Sequence, residues 1–258
     1  MFIYFKYELI ILRLLKAVNM YNFNQHKKEL NEIGFSITDF FFSESELAEI
    51  NNLIAVYNFD FSERQLLNRF PKLQETIFEN KLFKELLNTI CDKDYFLSKA
   101  IYFNKPSKSN WFVSYHQDLS VSVKNKIAQE GYCSWTNKKG QLGVIPPLSI
   151  LENIVTVRIH LDKTDETNGV LKVISKSHKR GIIRVDENFD ASKEGEEVTC
   201  NVEKGGIMLM KPLLLHSSQK SFSKNDRRVI HLEFCSQEIP MDWLEKKIFN
   251  MNIKKGIK

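Results

Sequence analysis

Near its C-terminal end the chain reads Arg227-Arg228-Val229-Ile230-His231-Leu232-Glu233-Phe234, and this stretch decides the fold class. Its two sets of alternate residues are Ile230, Leu232 and Phe234, and Arg227, Val229, His231 and Glu233. Successive side chains of a β-strand point to opposite faces of a sheet, so the wholly apolar first set predicts a strand that covers a hydrophobic core. The second set is mostly polar, and it must border a different environment.

Further strand-like stretches precede this one. We predict strands at 96–103, 112–123, 154–162, 170–174, 198–202 and 207–210. Asn168-Gly169 is a turn signal, and it predicts that 154–162 and 170–174 form a hairpin.

Residues 25–100 have a mainly helical pattern. Ser43 and Glu46 are spaced as a capping box at the start of one helix. Apolar residues at helical spacing predict a second helix over 71–91. Helices followed by short strands indicate an α+β chain, mainly β, around a closed or double-sheet β core.

The composition is that of an ordinary globular protein. The chain has 258 residues, 43% apolar and 27% charged, which is enough for the single domain we expect over 20–258. The net charge of +5 is mild and the lysines are scattered, so we expect neither a nucleic-acid partner nor a membrane protein. The four cysteines include no Cys-x-x-Cys pair, which favours a reducing cytoplasm over a zinc finger or a disulfide framework. No pattern in the sequence indicates an oligomeric state.

Residues 1–19 form a separate N-terminal extension. Its apolar runs are interrupted by charged residues and are shorter than the roughly 20 residues that a membrane span requires. We expect either an amphipathic helix docked on the domain or sequence upstream of a native start at Met20.

The triplet His116-Gln117-Asp118 is the strongest chemical signal. Positions i and i+2 of a strand share a face, so His116 and Asp118 can bind one metal ion together. His216 lies a hundred residues later and is the candidate third ligand. Two histidines and one carboxylate leave coordination positions open, as oxygen-activating iron sites require.

A second His-x-Asp triplet, His160-Leu161-Asp162, is a competing candidate. We favour the first triplet because a long stretch, 124–150, follows it and can cover a site. We expect this stretch to be a lid that contains Trp135, within an insertion at about 120–150; a disordered insertion is the alternative. His160 is then either a pocket residue or a buried histidine held by a hydrogen bond.

Several motifs together resemble the phytanoyl-CoA dioxygenase family. They are Tyr115-His116-Gln117-Asp118-Leu119, Arg158-Ile159-His160-Leu161-Asp162, Asn168-Gly169 with Leu171, Val173, Ile174, Ser177 and His178, then His216-Ser217-Ser218, and Arg227 to Glu233. The resemblance covers roughly residues 28–237. It implies a double-stranded β-helix (a jelly-roll or cupin-like core) with the N-terminal helices packed on one face. It also implies Fe(II) and 2-oxoglutarate as cofactors, and hydroxylation of a small molecule with succinate and CO2 as co-products.

The resemblance also implies roles for individual residues. His116, Asp118 and His216 would bind iron, and Arg227, Ser218 and Gln117 would bind 2-oxoglutarate. Arg228 is the rival of Arg227, since both begin the same strand. Arg158, His160, Trp135 and Val229 are candidate pocket residues, although Arg158 could instead form an ion pair with Asp162.

One position departs from the family pattern, which usually has Pro-Gly where this chain has Ser175-Lys176. Loss of the glycine predicts strain if the turn needs a positive φ. Asp118 is present, and this argues against the related halogenases, in which a small residue replaces the carboxylate.

Two other functions compete with the oxygenase. One is a cupin-like protein that binds a metal or a small acid without turnover, and the other is a hydrolytic zinc enzyme that uses the same ligands. Arg227 argues against the zinc enzyme, because hydrolysis needs no clamp for a dicarboxylate. The sequence does not identify the substrate.

Overall fold

The computed structural model describes residues 22–57, 59, 61–91, 94–107, 112–138 and 140–237, and the backbone of 247–248. The N-terminal extension 1–19 lies outside the described residues.

Fourteen strands in the described part of the chain form three antiparallel sheets. In chain order they are β1 (Phe35–Thr38), β2 (Ser62–Arg64), β3 (Phe96–Lys105), β4 (Val113–His116), β5 (Val121–Val123), β6 (Cys133–Lys138), β7 (Gln141–Ile145), β8 (Ile154–His160), β9 (Leu171–Ile174), β10 (Glu197–Thr199), β11 (Ile207–Met210), β12 (His216–Ser218), β13 (Arg227–Cys235) and β14 (Lys247–Ile248). The main sheet has the order β1-β11-β8-β13-β3-β14, with β2 also paired to β3. The minor sheet has the order β10-β9-β12-β4, and the third sheet has the order β5-β7-β6.

The described part of the chain has six helices: α1 (Phe23–Glu32), α2 (Glu44–Tyr57), α3 (Leu66–Arg69), α4 (Pro71–Glu79), α5 (Lys81–Ile90) and α6 (Leu148–Glu152). The first five precede β3, and their apolar residues form one core with the outer face of the main sheet, to which β13 contributes Ile230, Leu232 and Phe234. The apolar residues of α6 belong to a second core, which includes residues of the third sheet. This arrangement confirms the α+β, mainly β prediction with N-terminal helices on one face of the core. None of the helices in the described ranges has the length and apolar character needed to cross a membrane.

The inner face of the main sheet carries the polar set of β13. Arg227 is paired with Lys105 of β3, and His231 is paired with Arg158 of β8. Minor-sheet and third-sheet residues line the opposite walls of the cavity that begins at this face. The predicted polar environment is therefore a cavity inside the barrel.

The capping box is confirmed, but the helix predicted over 71–91 is two helices. The Ser43 amide donates to Glu46 Oε2 (2.8 Å), and the Glu46 amide donates to Ser43 Oγ (3.3 Å). The second helix is interrupted at Asn80, whose side chain accepts a hydrogen bond from the Phe83 amide at 2.8 Å. Asparagine competes with the helix for backbone donors, and here it ends α4 and caps α5.

Two strand predictions were wrong in their connections. The hairpin predicted across Asn168-Gly169 does not form, because β8 belongs to the main sheet and β9 to the minor sheet. The stretch 112–123 is two short strands, β4 and β5, in different sheets. In both places the chain crosses from one sheet to another, which local turn signals do not reveal.

The stretch 124–150 is not a structureless loop. It contains β6, β7 and the first residues of α6, and β7 pairs with both β5 and β6. A turn at Gly140, with φ +78°, joins β6 to β7. Five of the six residues of β6 are exposed. An exposed strand needs no alternating apolar residues, so the sequence pattern did not predict β6.

Ser175-Lys176 has the backbone conformation that the family pattern suggested. Lys176 has φ +65° and ψ 0°, the left-handed region that glycine adopts at little cost. Its amide donates to the Ile33 carbonyl at 2.9 Å, which holds the turn against the end of α1. The turn is therefore kept without the glycine, at a cost of about 1–2 kcal/mol.

Candidate metal and co-substrate site

Strand pairing brings the two distant histidines together. His116 ends β4 and His216 begins β12, and these residues are register partners in the minor sheet. Their ring centroids are 4.2 Å apart. The pairing of β4 with β12 therefore brings together two histidines that are a hundred residues apart in the chain.

Both imidazoles are oriented in the same way. His116 Nδ1 lies 2.9 Å from the Ser114 carbonyl oxygen, and His216 Nδ1 lies 2.9 Å from the Leu214 carbonyl oxygen. A carbonyl accepts only, so each Nδ1 carries the proton and donates it. Each Nε2 then has a free lone pair, which is the state that a metal ligand needs.

Asp118 completes a cluster of three ligand atoms. One atom each from His116, Asp118 and His216 lies within 4.8 Å of the others, and His216 Nε2 is 3.7 Å from Asp118 Oδ2. The Asp118 amide donates to the Pro212 carbonyl at 2.9 Å, which fixes the backbone just beyond β4. The cluster lines a cavity of about 290 Å³ between the sheets.

The protonation states suit a cation. Burial lowers the pKa of His216 to about 4, although the Asp118 carboxylate opposes this, so the imidazole is neutral near pH 7. Burial alone would raise the pKa of the Asp118 carboxyl, but its electrostatic interactions with the neighbouring imidazoles and with the Lys99 ammonium outweigh burial and hold this pKa well below its usual value. Deprotonated ligands of this kind are those that bind a divalent metal.

A second group of possible ligands is occupied by other contacts. It consists of Asp118, His231 and Glu233. Glu233 Oε1 is 2.7 Å from Lys99 Nζ and 3.0 Å from His231 Nε2, and Arg158 Nη1 is 3.2 Å from His231 Nδ1. A metal ion there would have to compete with a lysine and an arginine, so the first group is the better candidate.

The competing triplet at His160 does not form a site. Asp162 is bound by Arg228, whose Nε and Nη2 donate to its two oxygens at 2.8 and 2.7 Å. His160 Nδ1 is 2.8 Å from Thr164 Oγ1, which matches the alternative of a buried, hydrogen-bonded histidine. The ion pair considered for Arg158 and Asp162 was wrong, because Arg228 takes that place.

A basic pocket lies at one end of the cavity. Arg227, Lys105 and Ser218 line it together. Lys105 Nζ donates to Ser218 Oγ at 3.0 Å, and Arg227 Nη1 donates to the Gly169 carbonyl at 2.6 Å. No described carboxylate forms an ion pair with either cation, and Arg227 Nε is buried with no hydrogen-bond partner among the described residues. Buried charges without a counter-charge are expensive, so the pocket fits an anion.

The pKa values of these cations agree with that assignment. Burial, and then the charge of Arg227, lower the pKa of Lys105 to about 8. Burial, and then the charge of Arg158, lower the pKa of Arg227 to about 9. A bound carboxylate would offset both effects.

Gly169 gives this pocket its shape. Its φ is +82°, and a Cβ atom there would lie 2.6 Å from the Gln219 carbonyl oxygen and 2.7 Å from Lys105 Nζ. Its own carbonyl also accepts hydrogen bonds from Arg227 and Ser218. A larger residue would displace the lysine from the pocket.

Four residues predicted at the site are not among those that line the cavity: Gln117, expected to bind the co-substrate, and the candidate pocket residues His160, Trp135 and Val229. The Gln117 amide donates to the carbonyls of Gly181 (2.9 Å) and Leu213 (2.6 Å) and accepts from the Ile183 amide (2.9 Å), so it holds backbone segments together. Trp135 packs on the core beneath the third sheet, under Lys126. Val229 is fully buried. Arg158 does line the cavity.

We expect the metal-free protein to become less stable as the pH is lowered, because of His160. Burial holds the pKa of this imidazole well below 6.5, so below pH 6.5 only the unfolded chain takes up the proton. The unfolding free energy should then decrease as the pH drops, by up to about 1.4 kcal/mol per pH unit from this group. Urea unfolding between pH 6.5 and 5 should show a shallower pH dependence in His160→Asn, and equal slopes would contradict the assignment.

The sequence analysis missed Lys99 and Lys105. Both lie on the inner face of β3, where every second residue from Lys99 to Lys105 lines the cavity; the residues between the two lysines are Ile101 and Phe103. Lysines in phase with apolar residues of a buried strand were the available signal. His231 and Glu233 were recognised as sharing a face with Arg227, but no partner for them could be predicted.

A double-stranded β core with a His-Asp-His cluster and a basic pocket defines the class of cupin-like metalloproteins. A family model described as phytanoyl-CoA dioxygenase matches residues 30–229, which is most of the chain. The chain therefore belongs to the phytanoyl-CoA dioxygenase family, as its motifs predicted, and this membership supports a dioxygenase-type function. No curated protein matches the chain.

Several solved structures have a similar fold. SnoK, an alpha-ketoglutarate-dependent carbocyclase from nogalamycin biosynthesis, is 11% identical with a TM-score of 0.58, over 82% of this chain and 83% of SnoK. EctD from S. alaskensis, with 2-oxoglutarate and 5-hydroxyectoine, is 14% identical with a TM-score of 0.61, over 82% of this chain and 75% of EctD. HygX from Streptomyces hygroscopicus, with iron bound, is 14% identical with a TM-score of 0.57, over 82% of this chain and 85% of HygX. These similarities confirm the predicted fold.

Proposed function

We propose that this protein is an Fe(II)- and 2-oxoglutarate-dependent dioxygenase that hydroxylates a small molecule, with succinate and CO2 as co-products. One observation carries the proposal: a three-ligand cluster and a pocket of unpaired buried cations share one cavity. A metal ion alone would explain the ligand cluster, but an anionic co-substrate beside the metal explains the ligand cluster and the buried cations together. The structures of HygX with iron and of EctD with 2-oxoglutarate, in the same fold, support it.

His116, Asp118 and His216 would hold the iron. Their ligand atoms already converge, and the Ser114 and Leu214 carbonyls fix each imidazole with Nε2 toward the cluster. Two nitrogens and one oxygen on one side of an ion leave its other positions open, which is the pattern of non-haem Fe(II) oxygenases. When bound, iron and 2-oxoglutarate together supply the activation of molecular oxygen.

Arg227, Lys105 and Ser218 would hold the distal carboxylate of 2-oxoglutarate. The guanidinium presents a planar pair of donors that matches a carboxylate, and the lysine adds a second positive charge. Burial on the inner face of the main sheet excludes water from this contact. The chain's own contribution is therefore to orient the co-substrate and keep the cavity dry.

An anaerobic titration tests the proposal. Fe(II) and 2-oxoglutarate added to the purified protein should together produce a visible charge-transfer band, and 2-oxoglutarate without metal should not. Subsequent exposure to air should yield succinate. A protein that binds Fe(II) without a band or succinate would be a binding protein, and one that is active only with zinc would be a hydrolase; either result would contradict the oxygenase.

We also propose that 20–258 is one domain, that the insertion at about 120–150 covers the cavity, and that the protein works in the cytoplasm. Thr136, Lys138, Gln141, Leu142 and Gly143 of this insertion line the cavity, which supports a covering role. The four cysteines are free.

A further inference from the structure

The cavity has two ends, and the basic pocket occupies only one. Arg227 and Glu233 lie six residues apart on the same face of β13, which separates them by roughly 20 Å at about 3.3 Å per residue. His231 and Glu233 have ligand-type atoms within 4.8 Å of Asp118. A co-substrate that extends from the metal cluster to Arg227 leaves the Glu233 end for another molecule.

That second end is lined by polar groups, and we call it the polar basin: Lys99, His231 and Glu233 from the main sheet, with Ser122 and Gln141 from the third sheet. Each of these side chains is buried. Lys99 Nζ also donates to the Ser120 carbonyl at 2.7 Å, which ties the third sheet to the floor of the basin.

Gln141 has an unused hydrogen-bonding group. Its Nε2 donates to Ser122 Oγ, but its Oε1 is buried and has no partner among the described residues. The side chain is 5% exposed and lines the cavity. A buried carbonyl oxygen without a donor is unfavourable, so binding of a molecule that offers a donor would be favoured.

We infer that the substrate of the proposed oxygenase is a small molecule bearing several hydroxyl groups, and that Gln141 binds one of them. This inference rests on the proposed function. A hydroxyl both donates and accepts, so one hydroxyl can donate to Gln141 Oε1 and others can meet the polar lining formed by Lys99, His231 and Glu233. A long apolar chain would leave Gln141 Oε1 without a partner. The volume of about 290 Å³, near the lower end of the range for small-molecule sites, favours a small reacting part.

Ligand-observed NMR tests the inference with defined probes. The protein is incubated with 2-oxoglutarate and with Zn(II) in place of Fe(II), and saturation transfer is measured to millimolar myo-inositol, sorbitol and glucose, and to octanoate. We expect transfer to at least one polyol and none to octanoate. Gln141→Met should weaken polyol binding by about tenfold, because it loses one hydrogen bond without a large change in size.

Gln129→Met is the matched control, since Gln129 is an exposed glutamine of the same insertion. It should bind the polyol as the wild type does. Ser122→Ala removes the partner of the Gln141 amide and should also weaken binding, so the test does not depend on one variant. Binding of octanoate alone, no binding of any polyol, or equal binding in Gln141→Met would overturn the inference. The charge-transfer band with Fe(II) and 2-oxoglutarate distinguishes failure of this inference from failure of the proposed function. If the band forms but no polyol binds, only the substrate class is wrong.

Discussion

His116→Ala should abolish the charge-transfer band with Fe(II) and 2-oxoglutarate and reduce succinate formation to background. The variant removes one of the three ligands that converge in the cavity, and the remaining pair binds a divalent ion weakly. Loss of a group that only supports a ligand typically lowers metal affinity by roughly 10–100-fold, so loss of the ligand itself should exceed that. Anaerobic absorption spectra and the Kd for Fe(II) measure the effect.

His178→Ala is the control for this variant. His178 is a partly buried histidine outside the cavity, and its Nε2 lies 3.2 Å from the Asn31 carbonyl oxygen. It should retain the band and the succinate. If His116→Ala kept a band of wild-type strength, or if both variants lost it, the proposed ligand set would be incorrect.

Arg227→Ala should weaken 2-oxoglutarate binding while leaving Fe(II) binding nearly unchanged. The arginine is buried in the basic pocket, and it is not one of the three residues whose ligand atoms converge. A charged hydrogen bond contributes about 1.5–3 kcal/mol, which corresponds to a rise in the Kd for 2-oxoglutarate of between about tenfold and a hundredfold. Titration of the band with 2-oxoglutarate at saturating Fe(II) gives this Kd directly.

Arg228→Ala is a matched control at the neighbouring position. Its guanidinium is bound to Asp162 on the other face of β13, so its loss should lower stability rather than co-substrate affinity. An increase in the Kd for 2-oxoglutarate that is larger in Arg228→Ala than in Arg227→Ala would contradict the assignment. Lys105→Met should act in the same direction as Arg227→Ala, since both cations face one pocket.

Strand alternation predicted which arginine faces the cavity. Arg227 shares its face with His231, and the observed register places both on the inner side of the main sheet. The same alternation in β3 would have revealed Lys105, but the Lys105-Pro106 turn hid the end of that strand. Period-2 patterns are therefore informative about side-chain direction when the limits of the strand are known.

Local signals were less informative about connections. The Asn168-Gly169 turn predicted a hairpin, yet β8 and β9 belong to different sheets. The family resemblance assigned Gln117 to the co-substrate, and the expected lid placed Trp135 near the site. The Gln117 amide instead holds backbone segments together, and Trp135 packs against the core of the third sheet. A turn signal describes a few residues, whereas sheet membership depends on contacts across the whole chain.

By itself the sequence predicted most of the helices and strands, the inner and outer faces of β13 and three candidate metal ligands, because these depend on residue chemistry and on a short period. Only the tertiary structure decided that His116 is paired with His216, that Asp162 is taken by Arg228, and that Lys99, Lys105 and Gln141 face the same cavity. Those facts depend on strand register between segments that can be more than a hundred residues apart. Register is set by burial of complete faces against one another, and no single segment carries that information.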